Sequence, residues 1–322
     1  MLGQELEGQC PCTIPPTLDP PVDATALAKS DIELRAAFSH LNTPGESICS
    51  WLTQRQVDAL RSWQQLRGLK PRPAWAPEQL SGASQHELEL LGQFRQRLEA
   101  EGVLEEVQAA AYCCDLVLLQ YLRARDCVLE RAHRMLLATL AWRARLQPWA
   151  LENVSSRLNK RSSDARIIGF DPEGRVVVYS SFSRTEERQP DQVTLNASCM
   201  MEKARLCAPA GSSGQVMWVN HFCGRHRNGF GWRDANPRFV FSGVSVFMDH
   251  FPECLRTMVI VDPPAIFHNL WAALKPILPP KTQTKAEFID SRAAAAAARF
   301  QELFGADLGA HIWQLVQEDR AL

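Results

Sequence analysis

Residues 249–290, DHFPECLRTMVIVDPPAIFHNLWAALKPILPPKTQTKAEFID, decide the fold of this chain. Met258-Val259-Ile260-Val261 is a short apolar run ended by Pro263-Pro264, the pattern of an interior parallel strand covered on both faces. Asp262 is placed to cap the next helix, with Pro263 at the first helical position, where a missing N–H costs nothing. Ile266, Phe267, Leu270, Trp271, Leu274, Ile277 and Leu278 then recur with helical period, while His268, Asn269 and Lys275 fall on another face. After Pro279-Pro280, residues 286–289 return as a second strand. Parallel strands joined by a crossover helix begin at the same edge of a sheet. Glu253, just before the first strand, and Lys285, which opens the second, are therefore expected side by side on that edge and partly buried.

Working outward, residues 166–170 (RIIGF), the turn Asp171-Pro172-Glu173-Gly174 and residues 175–182 (RVVVYSSF) read as a hairpin around a type I turn. Residues 193–206 fit a helix and 215–222 a strand. Residues 239–251 are ambiguous, since their Val, Phe and Ser content argues for a strand. Residues 294–303 are Ala-rich and helical, and 312–316 anchor a last short helix. Strands alternating with helices after Arg166 give an α/β class with a mixed sheet.

Upstream, Leu88, Leu90, Leu91, Phe94 and Leu98 mark one helix, residues 116–122 another and 131–146 a third, together a small helical bundle preceding the sheet. Helical patterns also run over 26–41 and 46–66, among Pro-rich polar segments to which no function attaches. The expected organisation is thus a partly helical N-terminal extension at 1–83, a helical module at 84–152 and an α/β domain at 153–322.

Composition narrows the function. The 322 residues are 46% hydrophobic with a formal net charge of −1, so no global field draws the chain to nucleic acid or to an anionic membrane. The start, MLGQELEGQCPC, is neither a signal peptide nor a myristoylation site, and no apolar run is long enough to span a bilayer. The ten cysteines are scattered without paired CxxC knuckles, as reduced thiols in a cytoplasmic protein would be. Cys10 and Cys12, in a Pro-rich segment, are too few to hold a metal, and His221 with Cys223 on a strand is more simply packing. Residues 221–229, HFCGRHRNG, fail as a phosphate-binding nucleophile loop, because Gly229 stands where an Arg six positions after Cys223 would be needed. With no G-x-S-x-G elbow, P-loop or dinucleotide fingerprint, no catalytic residue and no cofactor is expected.

His250-Phe251-Pro252-Glu253, followed by MVIVDPPAIFHNLWAALKPIL and Pro280-Lys281-Thr282-Gln283-Thr284-Lys285, resembles the core of the CRAL-TRIO lipid-binding family. Residues 116–143, LVLLQYLRARDCVLERAHRMLLATLAWR, are similar to that family's N-terminal helical module, and the two blocks occur in the family's order. The resemblance implies a helix at 239–251 ending at the Pro252-Glu253 corner, and a lipid cavity between the sheet and its flanking helices. It also implies a movable gate helix at 264–278, with Pro276 as a hinge. Gate and cavity positions are then Ile266, Phe267, Leu270, Trp271, Leu274, Val216 and Trp218, with Phe267, Leu270 and Trp271 on the face that meets a bilayer.

In the phosphatidylinositol-transferring branch, an Arg, a Glu and a Lys hold the headgroup, matching Arg125, Glu253 and Lys285 here. A cation for phosphate oxygens and acceptors for inositol hydroxyls suit that task. Two departures from the phosphatidylcholine-exchanging branch matter: Val216 and Trp218 replace small hydroxyl residues, which counts against phosphatidylcholine, and Asp126 follows Arg125 where a base is found, which weakens the local attraction for phosphate. The resemblance thus implies a non-enzymatic, cytoplasmic and peripherally membrane-associated protein whose partners are one lipid and, transiently, a membrane surface contacted by Lys281. A tocopherol- or retinaldehyde-type carrier, with Lys281 and Lys285 facing phosphoinositides and Trp218 and Trp232 against a ring, is the alternative, as is a non-transferring scaffold. Arg157, Lys160, Arg161 and Arg166 of a basic connector, and Arg225-His226-Arg227, are further candidates for contact with anionic lipid.

Overall fold

The computed structural model describes residues 82–148, 164–185, 190–208, 213–223 and 237–321, with a few isolated positions before them. The helices expected at 26–41 and 46–66, Trp232, Arg225-His226-Arg227 and most of the basic connector lie outside the described residues.

The first described unit is helical. Helix α1 (Gln85–Ala100) starts at a capping box: the Ser84 hydroxyl accepts from the Glu87 N–H while the Glu87 carboxylate accepts from the Ser84 N–H, satisfying two otherwise orphan donors. Its Leu91, Phe94 and Leu98 are buried against α3 (Asp115–Arg123), which is covered along most of its length, and α4 (Leu129–Leu146). Between them α2 (Val107–Tyr112) is an element that the apolar spacing did not announce, since six residues are too short for a periodic signal.

Five strands follow in the order β1-β2-β3-β4-β5. β1 (Ala165–Phe170) and β2 (Val176–Ser181) form the expected antiparallel hairpin, closed by the Gly174 N–H bonding to Asp171 O at 2.9 Å. β3 (Val216–His221), β4 (Leu255–Val261) and β5 (Ala286–Ile289) add in parallel. The connections are helical: α5 (Pro190–Cys207), α6 (Pro237–His250) and α7 (Ala265–Leu274), the last running into a 3-10 turn (Lys275–Ile277) and the short α8 (Pro280–Gln283). α6 occupies the ambiguous stretch as a helix. α9 (Ala296–Phe304) and α10 (Ala306–Ala321) close the chain, α10 being sixteen residues long rather than the short anchor expected at 312–316.

Strand alternation assigns the two faces. Val177, Tyr179, Met217, Val219, Val259, Val261 and Ile289 pack on one side against Phe300, Phe304, Ile312 and Val316 of α9 and α10. Val176, Val178, Val216 and Trp218 face the other way, toward α5 and α6. Gly309 lets α10 approach α9 closely, because a Cβ there would stand 2.5 Å from the Gln301 backbone.

The helical unit is tied to the end of α6. Tyr112 and Tyr121 both donate to the His250 carbonyl at 3.2 Å, Thr139 donates to Asp249 O at 3.0 Å, and Trp142 stacks on the His250 ring at 4.0 Å. Beside these, the buried Arg143 pairs with Glu202 of α5 at 2.7 Å and its guanidinium lies over Tyr112. The corner carrying Glu253 is thereby fixed from the helical side.

Two expectations are corrected here. Asp262 does not cap α7: the N-cap is Pro264, and the Asp262 carboxylate instead accepts from the Ser291 N–H (2.8 Å) and hydroxyl (2.6 Å). The reason is local, since a residue before proline is driven to extended backbone, so Pro263 cannot open the helix ahead of Pro264. Arg166 is not part of an exposed connector either; it is buried on β1, bonded to Asp164 at 3.1 Å and lying over the Tyr179 ring.

Candidate functional site: a cavity on one face of the sheet

A cavity of about 260 Å³ lies on the face of the sheet opposite α9 and α10. A single enclosed water needs only on the order of 10–15 Å³, so this space is far larger than a packing defect. Trp218 on β3, Leu255, Met258 and Ile260 on β4, and Ala286 on β5 form its floor. Val244, Phe247 and Met248 of α6 wall one side, and Phe267, Trp271 and Leu274 of α7 the other, with Leu278 beyond them. The lining is predominantly apolar, as a site for a hydrophobic ligand requires.

Lys285 lies at one end of the cavity, and its ammonium is 3.2 Å from Glu253 Oε2. The juxtaposition follows from topology. Met258 N–H donates to the Lys285 carbonyl at 2.8 Å, which locks the start of β5 to β4, while Glu253 sits on the turn immediately before β4 with φ +56. Gln215, at the entry to β3, donates to the Glu253 carbonyl at 3.1 Å and holds that turn. Both charged side chains are partly covered yet still reached by solvent, at 18% and 27% exposure, so the pair can exchange its internal contact for an external one.

The third sequence candidate does not join them. Arg125 donates to Ala124 O at 2.9 Å, whereas the neighbouring Arg123 pairs with Glu87 at 2.6 Å and also feels the Glu253 charge. The Arg123 guanidinium holds the Glu87 carboxyl down at about 2. Lys281, on α8, is exposed.

The gate positions divide by face. Phe267, Trp271 and Leu274 line the cavity, and Phe267 is buried with its ring 4.4 Å from that of Phe222. Ile266 packs beside that aromatic cluster and Leu270 is half-buried. The outward face carries His268, Asn269, Ala272 and Ala273, so Phe267 does not stand on a surface that could meet a bilayer in this conformation. The apolar stripe reads inward because its nearest partners are the strand side chains below it. Val216 belongs to the packing between the sheet and α5 rather than to the cavity wall, whereas Trp218 lines the cavity. Pro276 lies in the 3-10 turn that follows α7.

Other polar residues on the cavity wall escaped the sequence reading: Asp164, Ser180, Thr185, Asn196 and Asn220. A signal was present for two of them. Asn220 is two residues past Trp218, and Ser180 pairs in register with Asn220, so period-two alternation puts both on the Trp218 face.

On the opposite face, His221 is enclosed between Asp262 (3.3 Å) and Asp319 (3.6 Å), with Tyr179 donating to Asp319 at 2.6 Å. Burial pushes the imidazole pKa down, but hydrogen bonds to the two carboxylates outweigh it and carry it up to about 11. Burial likewise opposes ionisation of Asp262 and Asp319, and the bonds from His221 and its neighbours bring each down to about 2. This buried imidazolium joins β3 and the end of β4 to α10. Among the described residues no group of three or more His, Cys, Asp or Glu side chains could hold a metal ion, and no helix is long and apolar enough to cross a membrane.

Residues 161–307 match the CRAL/TRIO domain. The chain is 26% identical over 182 residues to Patellin-1 of Arabidopsis thaliana, a match covering 53% of this chain and 31% of the relative. It is 24% identical over 225 residues to phosphatidylinositol transfer protein SFH5 of Chaetomium globosum, covering 59% of this chain and 51% of that protein. These matched stretches are about half or less of the relatives' own lengths. A crystal structure of Sfh5 superposes with a TM-score of 0.50 at 12% identity, covering 70% of this chain and 85% of that one, a likeness of fold. The five-stranded mixed sheet with its flanking helices and helical N-terminal part is the architecture they share. Over residues 161–307, then, this chain is similar to the CRAL/TRIO domain.

Proposed function

We propose that this protein binds one lipid in the cavity on the sheet face and transfers or presents it between membranes without chemical change. The observation that carries this reading is a predominantly apolar cavity with the partly exposed Lys285–Glu253 pair at one end. Burying a methylene is worth about 0.8 kcal/mol, so a lipid tail leaving a bilayer for water faces a large penalty. Walls such as Phe247, Met258 and Trp271 substitute hydrocarbon for hydrocarbon and remove most of it.

A phosphatidylinositol-type lipid suits the polar end best. Lys285 offers a cation to a phosphate and Glu253 an acceptor to inositol hydroxyls, with Arg125 as a further headgroup contact reached by a change of side-chain conformation. The similarity to a protein named for phosphatidylinositol transfer supports the same choice. Release requires α7 to move away from Phe222 and Ile260, pivoting at the turn that contains Pro276, with Lys281 near anionic lipid during the encounter. The protein then acts at the cytoplasmic surface of membranes as a peripheral visitor.

One feature favours a second reading, a carrier of a compact hydrophobe: the Trp218 indole occupies cavity wall where a narrower chain would leave more room. Extraction of the purified protein followed by mass spectrometry separates the two. Co-purifying phosphatidylinositol supports the first, an isoprenoid or sterol the second, and a protein free of any lipid after exposure to mixed vesicles contradicts both.

A further inference from the structure

The cavity is polar at both ends. Away from Lys285, Trp218 Nε1 donates to the Ser180 hydroxyl at 2.8 Å, and that hydroxyl donates in turn to the Asn220 side-chain carbonyl. The Asn220 amide nitrogen then has two N–H groups, and among the described residues its partner is the thioether of Met258, a weak acceptor, at 3.1 Å. Asn196, half-buried on α5, lines the same space, and its side chain makes no hydrogen bond among the described residues. Both amides are half-buried, and N–H donors on an apolar wall that meet at best a weak acceptor are left to a ligand, which a wall built only for hydrocarbon would not offer.

Register fixes how far this cluster lies from the charged end. Lys285 precedes Ala286, which pairs with Met258, which pairs with Trp218; Asn220 is two residues further along β3. At ~3.3 Å per residue and ~4.8 Å between strands, Asn220 is roughly 14 Å from Lys285 across the sheet.

We infer that the Ser180–Asn220 pair is a second recognition point that selects a ligand bearing a hydrogen-bond-accepting oxygen on its apolar body, away from any anionic headgroup. The inference rests on the lipid-site reading and specifies its ligand class. Such an oxygen can belong to a hydroxylated acyl chain of a phospholipid or to the hydroxyl of a ring-bearing hydrophobe. In either case the Asn220 amide is the donor, and Ser180, held by the Trp218 indole, fixes the orientation of that amide.

The test uses the full-length protein with phosphatidylcholine vesicles carrying one of four probes: distearoyl phosphatidylinositol, its 12-hydroxystearoyl counterpart, cholesterol or cholestane. Bound probe is measured after re-isolation of the protein. The oxygen-bearing member of at least one pair is expected to be retained about fivefold over its partner, the size of one hydrogen bond, and which pair responds identifies the source of the oxygen. Asn220→Asp, which keeps the acceptor for Ser180 but deletes both N–H donors, is expected to bring that ratio to about one. Asn220→Leu, with its melting temperature followed, is the second variant and carries the same expectation. A ratio of one in both pairs, or a ratio that survives both substitutions, overturns the inference while leaving the lipid site standing. Uptake of none of the four probes overturns the lipid site itself, and the selectivity with it.

Discussion

Lys285 Nζ lies 3.2 Å from Glu253 Oε2, two residues separated by 32 positions yet brought together because β4 and β5 begin at the same edge of a parallel sheet. The pair is partly covered but not sealed, so its mutual attraction is modest, about 1 kcal/mol or less. A phosphate approaching Lys285 therefore competes with Glu253 rather than with a locked buried charge.

Lys285→Ala is accordingly expected to change the melting temperature little while reducing phosphatidylinositol transfer between vesicles at least ~10-fold, the loss of one charge-assisted contact. Fluorescent-lipid transfer measured beside thermal melting checks both halves. Unaltered transfer would strike the headgroup assignment.

Arg125 is expected to matter less than Lys285 for transfer, since its guanidinium turns to Ala124 O and not to the Lys285–Glu253 pair. Arg123→Ala, by contrast, removes the bond to Glu87 and is expected to lower stability by about 1 kcal/mol. Denaturant melts of the two variants, paired with the same transfer assay, distinguish a headgroup contact from a structural one. Transfer lost equally in Arg125→Ala and Lys285→Ala would restore the three-residue site in full.

Phe267 plugs α7 into the sheet through Phe222 and Ile260. Phe267→Ala is expected to cost about 3 kcal/mol or more and, if α7 is the moving element, to speed lipid exchange under conditions where the protein stays folded. Trp271 is the reporter, because it lines the cavity: its fluorescence is expected to shift when vesicles are added. Exchange no faster in Phe267→Ala, together with an unmoved Trp271 signal, contradicts a mobile α7.

The His221 clamp gives a pH dependence whose sign can be worked through. His221 is raised to about 11, so its stabilising contribution is complete below about 6.5 and fades only as pH rises toward 11. Asp262 and Asp319 are lowered to about 2, so theirs is complete above about 4 and is lost as pH falls toward 2. Asp319→Asn should destabilise by about 3–5 kcal/mol near neutral pH, because it leaves a buried charge short of a partner. It should also flatten the fall in stability between pH 4 and pH 2, which chemical denaturation across that range measures.

Much of the α/β half is legible before any coordinates. The run Met258–Val261 and the twin prolines around the following helix define β4, α7 and β5, and topology alone then brings Glu253 to Lys285. Residues 239–251 needed more, because Val, Phe and Ser favour a strand locally and only packing against α5 and the sheet makes α6 a helix. Asp262 was misread as a cap because its true partner, Ser291, is 29 residues away in sequence. Helical period finds the stripe of α7, and in this structure Phe267, one of its gate and cavity positions, lies inward with its ring against Phe222. His221 read as simple packing, since neither Asp262 nor Asp319 is near it in the chain. Ser180 and Asn220 were within reach of strand alternation once Trp218 was taken as cavity wall.

The central claim, that a lipid occupies the space between the sheet and α7, is tested most directly by photocrosslinking. The probe is a phosphatidylinositol carrying a diazirine midway along one acyl chain, delivered from vesicles to the full-length protein, with labelled peptides read by mass spectrometry. Labels on the segments containing Trp218, Phe247, Met258 and Trp271 are the predicted result. Labels confined to α9, α10 or the helical unit at 85–146, or none above the level of competing unlabelled lipid, would contradict it.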